Sequence, residues 1–366
     1  MTALRNLYGL TQGELAQRLE VTQSFLSQVE RGARGVPDTM LLRASREFAL
    51  PATFFTITPT EADFGPVTFR KSSHASARDE RRIVELYNEA TRLFRDVSNA
   101  SGYHATNLPN PDEFDGDPDL VAESMREAAG LGPEDPVKNA IRAVERFGIG
   151  VVDNLDDLET EVHGHTAVSR PSWHAERPLV ALVASVPGAV KRLTVLHELG
   201  HLIFDRNLNE PVAIRSFEEK RAYRFASAYL LPASVVRARV SESLNLHGYL
   251  PIKADYGISV GAIVIRARDL KVISADRARS LQIQLSAQGW RTNEPVHVTD
   301  ERPVLLRQAL GKAYGGQPVV KASHKVGMPP EWINRWTYTD DPHEPPTSTP
   351  TARVLDFAAA RARRAG

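Results

Sequence analysis

The run Arg192-Leu193-Thr194-Val195-Leu196-His197-Glu198-Leu199-Gly200-His201 settles what kind of domain lies at the centre of this chain. Residues four apart share one helix face a turn apart, so His197 and His201 can offer ring nitrogens to a single divalent ion. Glu198 is turned about 100° from His197, where its carboxylate can reach a water beside that ion and act as a general base. With eleven histidines in 366 residues, chance supplies such a His-Glu-x-x-His pattern about 0.02 times. A catalytic zinc site takes a third protein ligand and keeps one position open. Glu219 follows His201 by eighteen residues and begins a stretch in which Ala222, Phe225, Ala226, Tyr229 and Leu230 form a helical stripe. Its carboxylate falls on the first turn above that stripe, a phase that Glu218 does not share. Gly200, Ala222 and Ala226 are small enough for two helix backbones to approach closely. The expected metal ligands are therefore His197, His201 and Glu219, with Glu198 as base. Zinc is the default for two imidazoles and a carboxylate, and manganese is the alternative where availability selects it.

Composition narrows the remaining chemistry. Lys+Arg and Asp+Glu both number 45, giving zero formal net charge, and the chain is 42% hydrophobic and 25% charged. Those values fit a globular protein of two or three domains and argue against wholesale disorder, collagen-like repeats and coiled-coil fibre. With no cysteine, disulfides, thiolate nucleophiles and Cys-based zinc sites are excluded, so any metal must be held by His, Asp or Glu. No apolar run approaches the roughly 18 residues of a membrane helix, and the start lacks a secretory h-region. The expected setting is the cytoplasm, with no membrane partner.

On either side of the motif, periodicity predicts helices over 190–204 and 217–231, the second stopped by Pro232. Upstream, it predicts helices over 77–99, 120–129 and 137–147 and strands over 149–152, 166–169 and 179–183. A peptide could lie extended beside an edge strand, either 179–183 or 166–169. Residues 233–338 read as mainly helical, and the Pro-rich tail from Thr339 as mobile, with Arg361, Arg363 and Arg364 solvated. His163, His165 and His174 read as surface loop residues, Tyr223 as core, and Trp290, Trp332 and Trp336 as hydrophobic anchors.

The central region resembles the ImmA/IrrE family of HExxH metallopeptidases. The resemblance rests on residues 192–201, on Glu219-Lys220-Arg221-Ala222-Tyr223-Arg224-Phe225-Ala226 and on Leu230-Leu231-Pro232. It extends upstream to 140–152 and downstream through 255–260 to 289–295, covering about residues 120 to 310. Tyr223 stands where the family usually has Asn, and Asp205 where it often has His. The resemblance implies a zincin-like α+β domain in which His197, His201 and Glu219 bind zinc and Glu198 is the catalytic base.

The amino-terminal residues carry a second signature. Thr11 and Glu14 have capping-box spacing at the start of one short helix, and Thr22 caps a second after a turn at Glu20-Val21. On the second helix Phe25, Leu26 and Val29 point inward, while Gln23, Ser24, Ser27 and Gln28 project outward with amide and hydroxyl groups suited to base edges and phosphates. A left-handed backbone at Glu20 would cost about 1 kcal/mol. Residues 4–56, including Ser27-Gln28-Val29-Glu30-Arg31-Gly32 and Leu50-Pro51-Ala52-Thr53-Phe54-Phe55, resemble the XRE-type helix-turn-helix of lambdoid repressors. That resemblance implies base reading by Gln23, Ser24, Ser27 and Gln28 and a phosphate contact by Gln12. Six Arg and five acidic residues within 1–60 supply few phosphate partners, so a monomer should bind double-stranded DNA weakly and a homodimer would supply avidity. A protein-binding module is the other reading of the same surface.

The fold expected is thus helix-rich α+β: an all-α helix-turn-helix domain at 1–56, a linker and charged helix at 57–119, a zincin-like metallopeptidase domain at 120–235, a mainly helical region at 236–338 and a mobile tail at 339–366. The expected function is a zinc endopeptidase with a DNA-binding domain, and the family resemblance implies a repressor or antitoxin-like protein as substrate in a stress or phage-related response. The rival is a transcription regulator or antitoxin whose zincin-like domain senses a ligand or metal and cuts nothing.

Overall fold

Of the amino-terminal helices α1 (Thr2–Leu7), α2 (Gln12–Arg18), α3 (Gln23–Glu30) and α4 (Asp38–Glu47), α2 and α3 begin where capping threonines place them. The Thr11 hydroxyl accepts from Glu14 N at 3.2 Å, while Glu14 Oε2 accepts from Thr11 N at 2.7 Å, so two backbone donors are satisfied reciprocally. Thr22 caps α3 through Phe25 N at 3.2 Å. Glu20, in the turn between α2 and α3, has φ +53°, the left-handed conformation expected there. The computed structural model describes residues 1–58, 65–71, 76–156, 165–172, 175–183, 185–208, 210–213 and 215–338.

The central elements follow as β1 (Thr68–Lys71), α5 (Ala77–Ser101), α6 (Pro118–Ala128), α7 (Ala140–Arg146), β2 (Gly150–Val152), β3 (His165–Ser169), β4 (Leu179–Leu182), α8 (Gly188–Phe204) and α9 (Phe217–Leu230). The remaining α-helices are α10 (Ala233–Arg239), α11 (Leu250–Tyr256), α12 (Val260–Asp269), α13 (Ala275–Ala287), α14 (Leu305–Tyr314), α15 (Pro318–Val326) and α16 (Pro330–Thr337). This is a helix-rich α+β chain with an all-α start and a mainly helical carboxy-terminal part. The tail from Thr339, together with His163 and His174, lies outside the described residues. Among the described residues no helix is long and apolar enough to cross a membrane.

The strands form one sheet in the order β1-β3-β4-β2, with β1/β3 and β3/β4 antiparallel and β2/β4 parallel. Three expectations change here. The segment 57–119 supplies a strand, β1, as well as a helix. Neither 166–169 nor 179–183 is an open edge, because β3 lies between β1 and β4, and β4 between β3 and β2. His165, expected in a loop, begins β3 and pairs in register with Lys71.

Side chains alternate across a strand, and the sheet divides its apolar residues accordingly. Val151, Ala167, Val180 and Leu182 enter a core with α6 to α13, whereas Val152, Val168, Leu179 and Ala181 enter a second core with α5, the amino-terminal helices and α14 to α16. Both faces are covered, which explains the uninterrupted burial of β2 and β4. Trp290 and Trp336 are buried anchors, and Trp332 packs against Trp336 with ring centroids 6.0 Å apart. Between the helix-turn-helix and the sheet, Arg82 on α5 bridges two regions. It donates to the carbonyl of Leu7 and binds both carboxylate oxygens of the buried Asp156 at 2.7 and 2.8 Å.

Candidate metal centre and nucleic-acid interface

Helix α8 lies under the sheet with nearly every residue buried, so its polar side chains must be satisfied within the protein. It carries His197, Glu198 and His201, and α9 crosses it closely. A β-carbon added to Gly200 would stand 3.0 Å from Ala222 Cα and 3.2 Å from Ala222 Cβ. That approach brings Glu219, on the first turn of α9 and capped by Ser216 through a 3.3 Å bond to Glu219 N, over the two imidazoles. His197 Nε2 and His201 Nε2 lie 3.1 Å apart, Glu219 Oε2 lies 3.3 Å from the former, and Glu219 Oε1 lies 3.4 Å from the latter. Ligand atoms about 2.1 Å from an ion at tetrahedral angles stand about 3.4 Å from one another. The three residues thus meet the dimensions of one small divalent site, and they form a group whose ligand atoms all fall within 4.8 Å.

Their surroundings favour a cation. His201 Nδ1 lies 2.6 Å from Asp205 Oδ2, which orients the ring so that Nε2 faces the cluster. Asp205 is itself held by the Arg221 guanidinium. Burial opposes charge on His201, but the hydrogen bonds to Asp205 and Glu219 outweigh it and raise its pKa to about 10. Burial likewise works against the Glu219 carboxylate, yet the two histidines hold its pKa down to about 2. Both shifts follow from the close approach of carboxylates and imidazoles, which favours positive charge beside Glu219.

Glu198 is fully buried beside these ligands. Its Oε2 accepts from the Ser169 hydroxyl at 2.6 Å and the Thr68 hydroxyl at 3.0 Å, while among the described residues Oε1 has no hydrogen-bond partner. A buried carboxylate oxygen left without a partner is costly and is available to a ligand that enters the site. The sequence placed His197, Glu198, His201 and Glu219 in one cluster; the structure brings His197, His201 and Glu219 together, with Glu198 buried next to His197 on the same helix. It adds Asp205, Arg221, Ser169 and Thr68. Asp205 stands four residues after His201, the spacing of a side-chain pair on one helix face, and that signal was available in the sequence. Thr68 and Ser169 are 101 residues apart and meet only through strand pairing. Tyr223 is half-buried against the core, as read.

At the other end of the chain Gln23 and Ser24 are exposed at the start of α3, while Ser27 and Gln28 are half-buried. Gln12 donates to Glu30 Oε2 at 2.9 Å, and Arg5 donates to Glu30 Oε1 at 2.9 Å, so Gln12 is fixed against α3. The Arg34 guanidinium stacks 4.5 Å over the Phe25 ring.

Comparison with known proteins agrees with this division. Residues 1–55 match the helix-turn-helix family, and residues 145–268 match the family described as the IrrE N-terminal-like domain, a peptidase family. The chain is similar to the HTH-type transcriptional regulator RamB of Mycobacterium tuberculosis, in strains CDC 1551 / Oshkosh and ATCC 25618 / H37Rv. Each is 44% identical over 101 residues, which is 28% of this chain and 17% of the relative. The match therefore spans only about a sixth of those regulators. In sequence and in fold, the chain joins an XRE-type helix-turn-helix DNA-binding domain to an IrrE-like domain of a metallopeptidase family.

Proposed function

We propose that this chain is a cytoplasmic, zinc-dependent regulatory endopeptidase carried by a DNA-binding domain, and that it hydrolyses a peptide bond in a repressor or antitoxin-like protein. The observation that carries the proposal is the convergence of His197, His201 and Glu219 at tetrahedral spacing, with the buried Glu198 next to His197 on the same helix. His197, His201 and Glu219 would hold the metal, zinc by donor set and manganese where it is more available. When bound, the metal supplies Lewis-acid polarisation of the scissile carbonyl and of the attacking water. Asp205 keeps the His201 ring in its ligating orientation. Glu198 takes the proton of the attacking water on Oε1 and delivers it to the leaving amine, while the Ser169 hydroxyl fixes Oε2. At the helix-turn-helix, Gln23, Ser24, Ser27 and Gln28 are the proposed base-reading set and Gln12 a phosphate contact, on a homodimer that supplies the affinity a weakly charged monomer lacks.

A second reading is supported by the similarity to transcriptional regulators: the chain regulates transcription, and its metal cluster senses without cutting. One substitution separates the two. Glu198→Gln should retain bound metal and DNA binding while lowering cleavage of the target by 10²-fold to 10⁴-fold. Co-expression with candidate repressors, followed by a search for metal-dependent fragments, is the measurement. A cellular response unchanged by Glu198→Gln would favour the sensing regulator.

A further inference from the structure

We infer that the strand-binding berth beside the metal centre is occupied by the chain's own residues 65–71, which hold the site latent until they are displaced. This inference rests on the peptidase reading above. Strand β3 is packed against α8, the helix that carries His197, Glu198 and His201. One side of β3 is already paired with β4, so the other side is where an extended peptide could add by main-chain hydrogen bonds. That side is filled by β1, antiparallel, with Thr68 opposite Ser169, Phe69 opposite Val168 and Arg70 opposite Ala167. The strand also makes the contact a bound substrate would have to replace. The buried Thr68 hydroxyl donates to Glu198 Oε2 at 3.0 Å and lies 2.7 Å from the Ser169 hydroxyl.

The occupant is built to be exchangeable. It is four residues long and its register is broken by a bulge between Arg70 and Lys71, so its pairing is short on one side and, among the described residues, absent on the other. A tethered segment nevertheless competes at an effective concentration in the mM range, enough to exclude a peptide supplied at µM concentration. The tether has a direction as well. Residues 65–71 join the helix-turn-helix to α5, and Val67 packs in the apolar cluster that contains Leu4, Leu7 and Phe54. A rearrangement of that shared core therefore bears on the strand.

The test uses the zinc-loaded full-length chain and two variants. Thr68→Asp places a like charge against Glu198, and Phe69→Gly weakens the strand without altering the surroundings of Glu198. Each is probed with a fluorescein-labelled peptide of the sequence of residues 65–71, read by anisotropy, and with fluorescein-labelled casein, read by fragment release. Both variants should bind the peptide at least tenfold more tightly than the unaltered chain and cleave casein at least tenfold faster, with the unlabelled peptide suppressing cleavage. Amide hydrogen exchange at residues 165–169 should accelerate in the variants and slow again when peptide is added. If the variants bind peptide but nothing cleaves casein and Glu198→Gln changes nothing, the peptidase reading fails and the occupied berth stands. If the unaltered chain binds the peptide as tightly as the variants do, or if folded variants with full zinc content bind none, the berth inference is overturned.

Discussion

The proposed metal centre and the proposed DNA-reading surface make their polar groups available in opposite ways. At the metal centre His197, Glu198 and His201 are at most 3% exposed, so every hydrogen bond is fixed by packing and a missing partner is costly. On α3, Gln23 and Ser24 stand in solvent, where water satisfies them and geometry is set only when a ligand arrives. A buried cluster of that kind tolerates almost no substitution even before it acts, whereas exposed residues on α3 can change without cost to folding, so any specificity they carry is separable from stability.

If that contrast holds, the largest effect after Glu198→Gln should come from Asp205→Asn. Removing the carboxylate that orients His201 is expected to lower zinc affinity 10-fold to 100-fold, measured by competition with a chromogenic chelator. Unchanged affinity would place the precision of the site in the ligands alone. Next comes Gly200→Ala, whose added methyl meets Ala222 backbone at 3.0 Å. It should destabilise the fold by about 1 to 3 kcal/mol and lower metal content by shifting Glu219 on α9, as read by urea denaturation and metal analysis. Gln23→Ala together with Gln28→Ala should leave folding within about 0.5 kcal/mol while removing operator preference, about 1 to 3 kcal/mol of discrimination for each good base contact. An electrophoretic shift that keeps the same preference would show that other residues read the bases. The smallest effect is Glu20→Gly, which relieves a left-handed backbone but loses an exposed ion pair with Arg43, for a net gain below about 1 kcal/mol in thermal unfolding.

The legibility of the two regions follows from how local their determinants are. His197 and His201 announce themselves because a helix fixes their relation within one turn, and Gly200 and Ala222 betray the helix crossing by their size. The caps at Thr11 and Thr22 are equally local. Strand β1 gave no comparable signal: Val67-Thr68-Phe69-Arg70-Lys71 is short, ends in two charges, and becomes a strand only by pairing with residues about a hundred positions later. Long-range pairing of that kind leaves no period in the sequence. For α5 the inward face was visible in Ile83, Leu86, Tyr87, Ala90, Leu93 and Phe94. The burial of Thr91, Ser98 and Ser101 was not, because it depends on α14 and α15 covering a second side.

One feature of the packing bears on how this chain fails under heat. The apolar mass that contains Leu15 and Leu26 of the helix-turn-helix also contains Val168 and Ala181 of the sheet and Leu306 and Trp336 near the carboxy-terminal end of the described residues. Regions with a common interior lose it together, so a calorimeter should record one endotherm for reader and sheet. Damage confined to either would then lower the melting temperature of both.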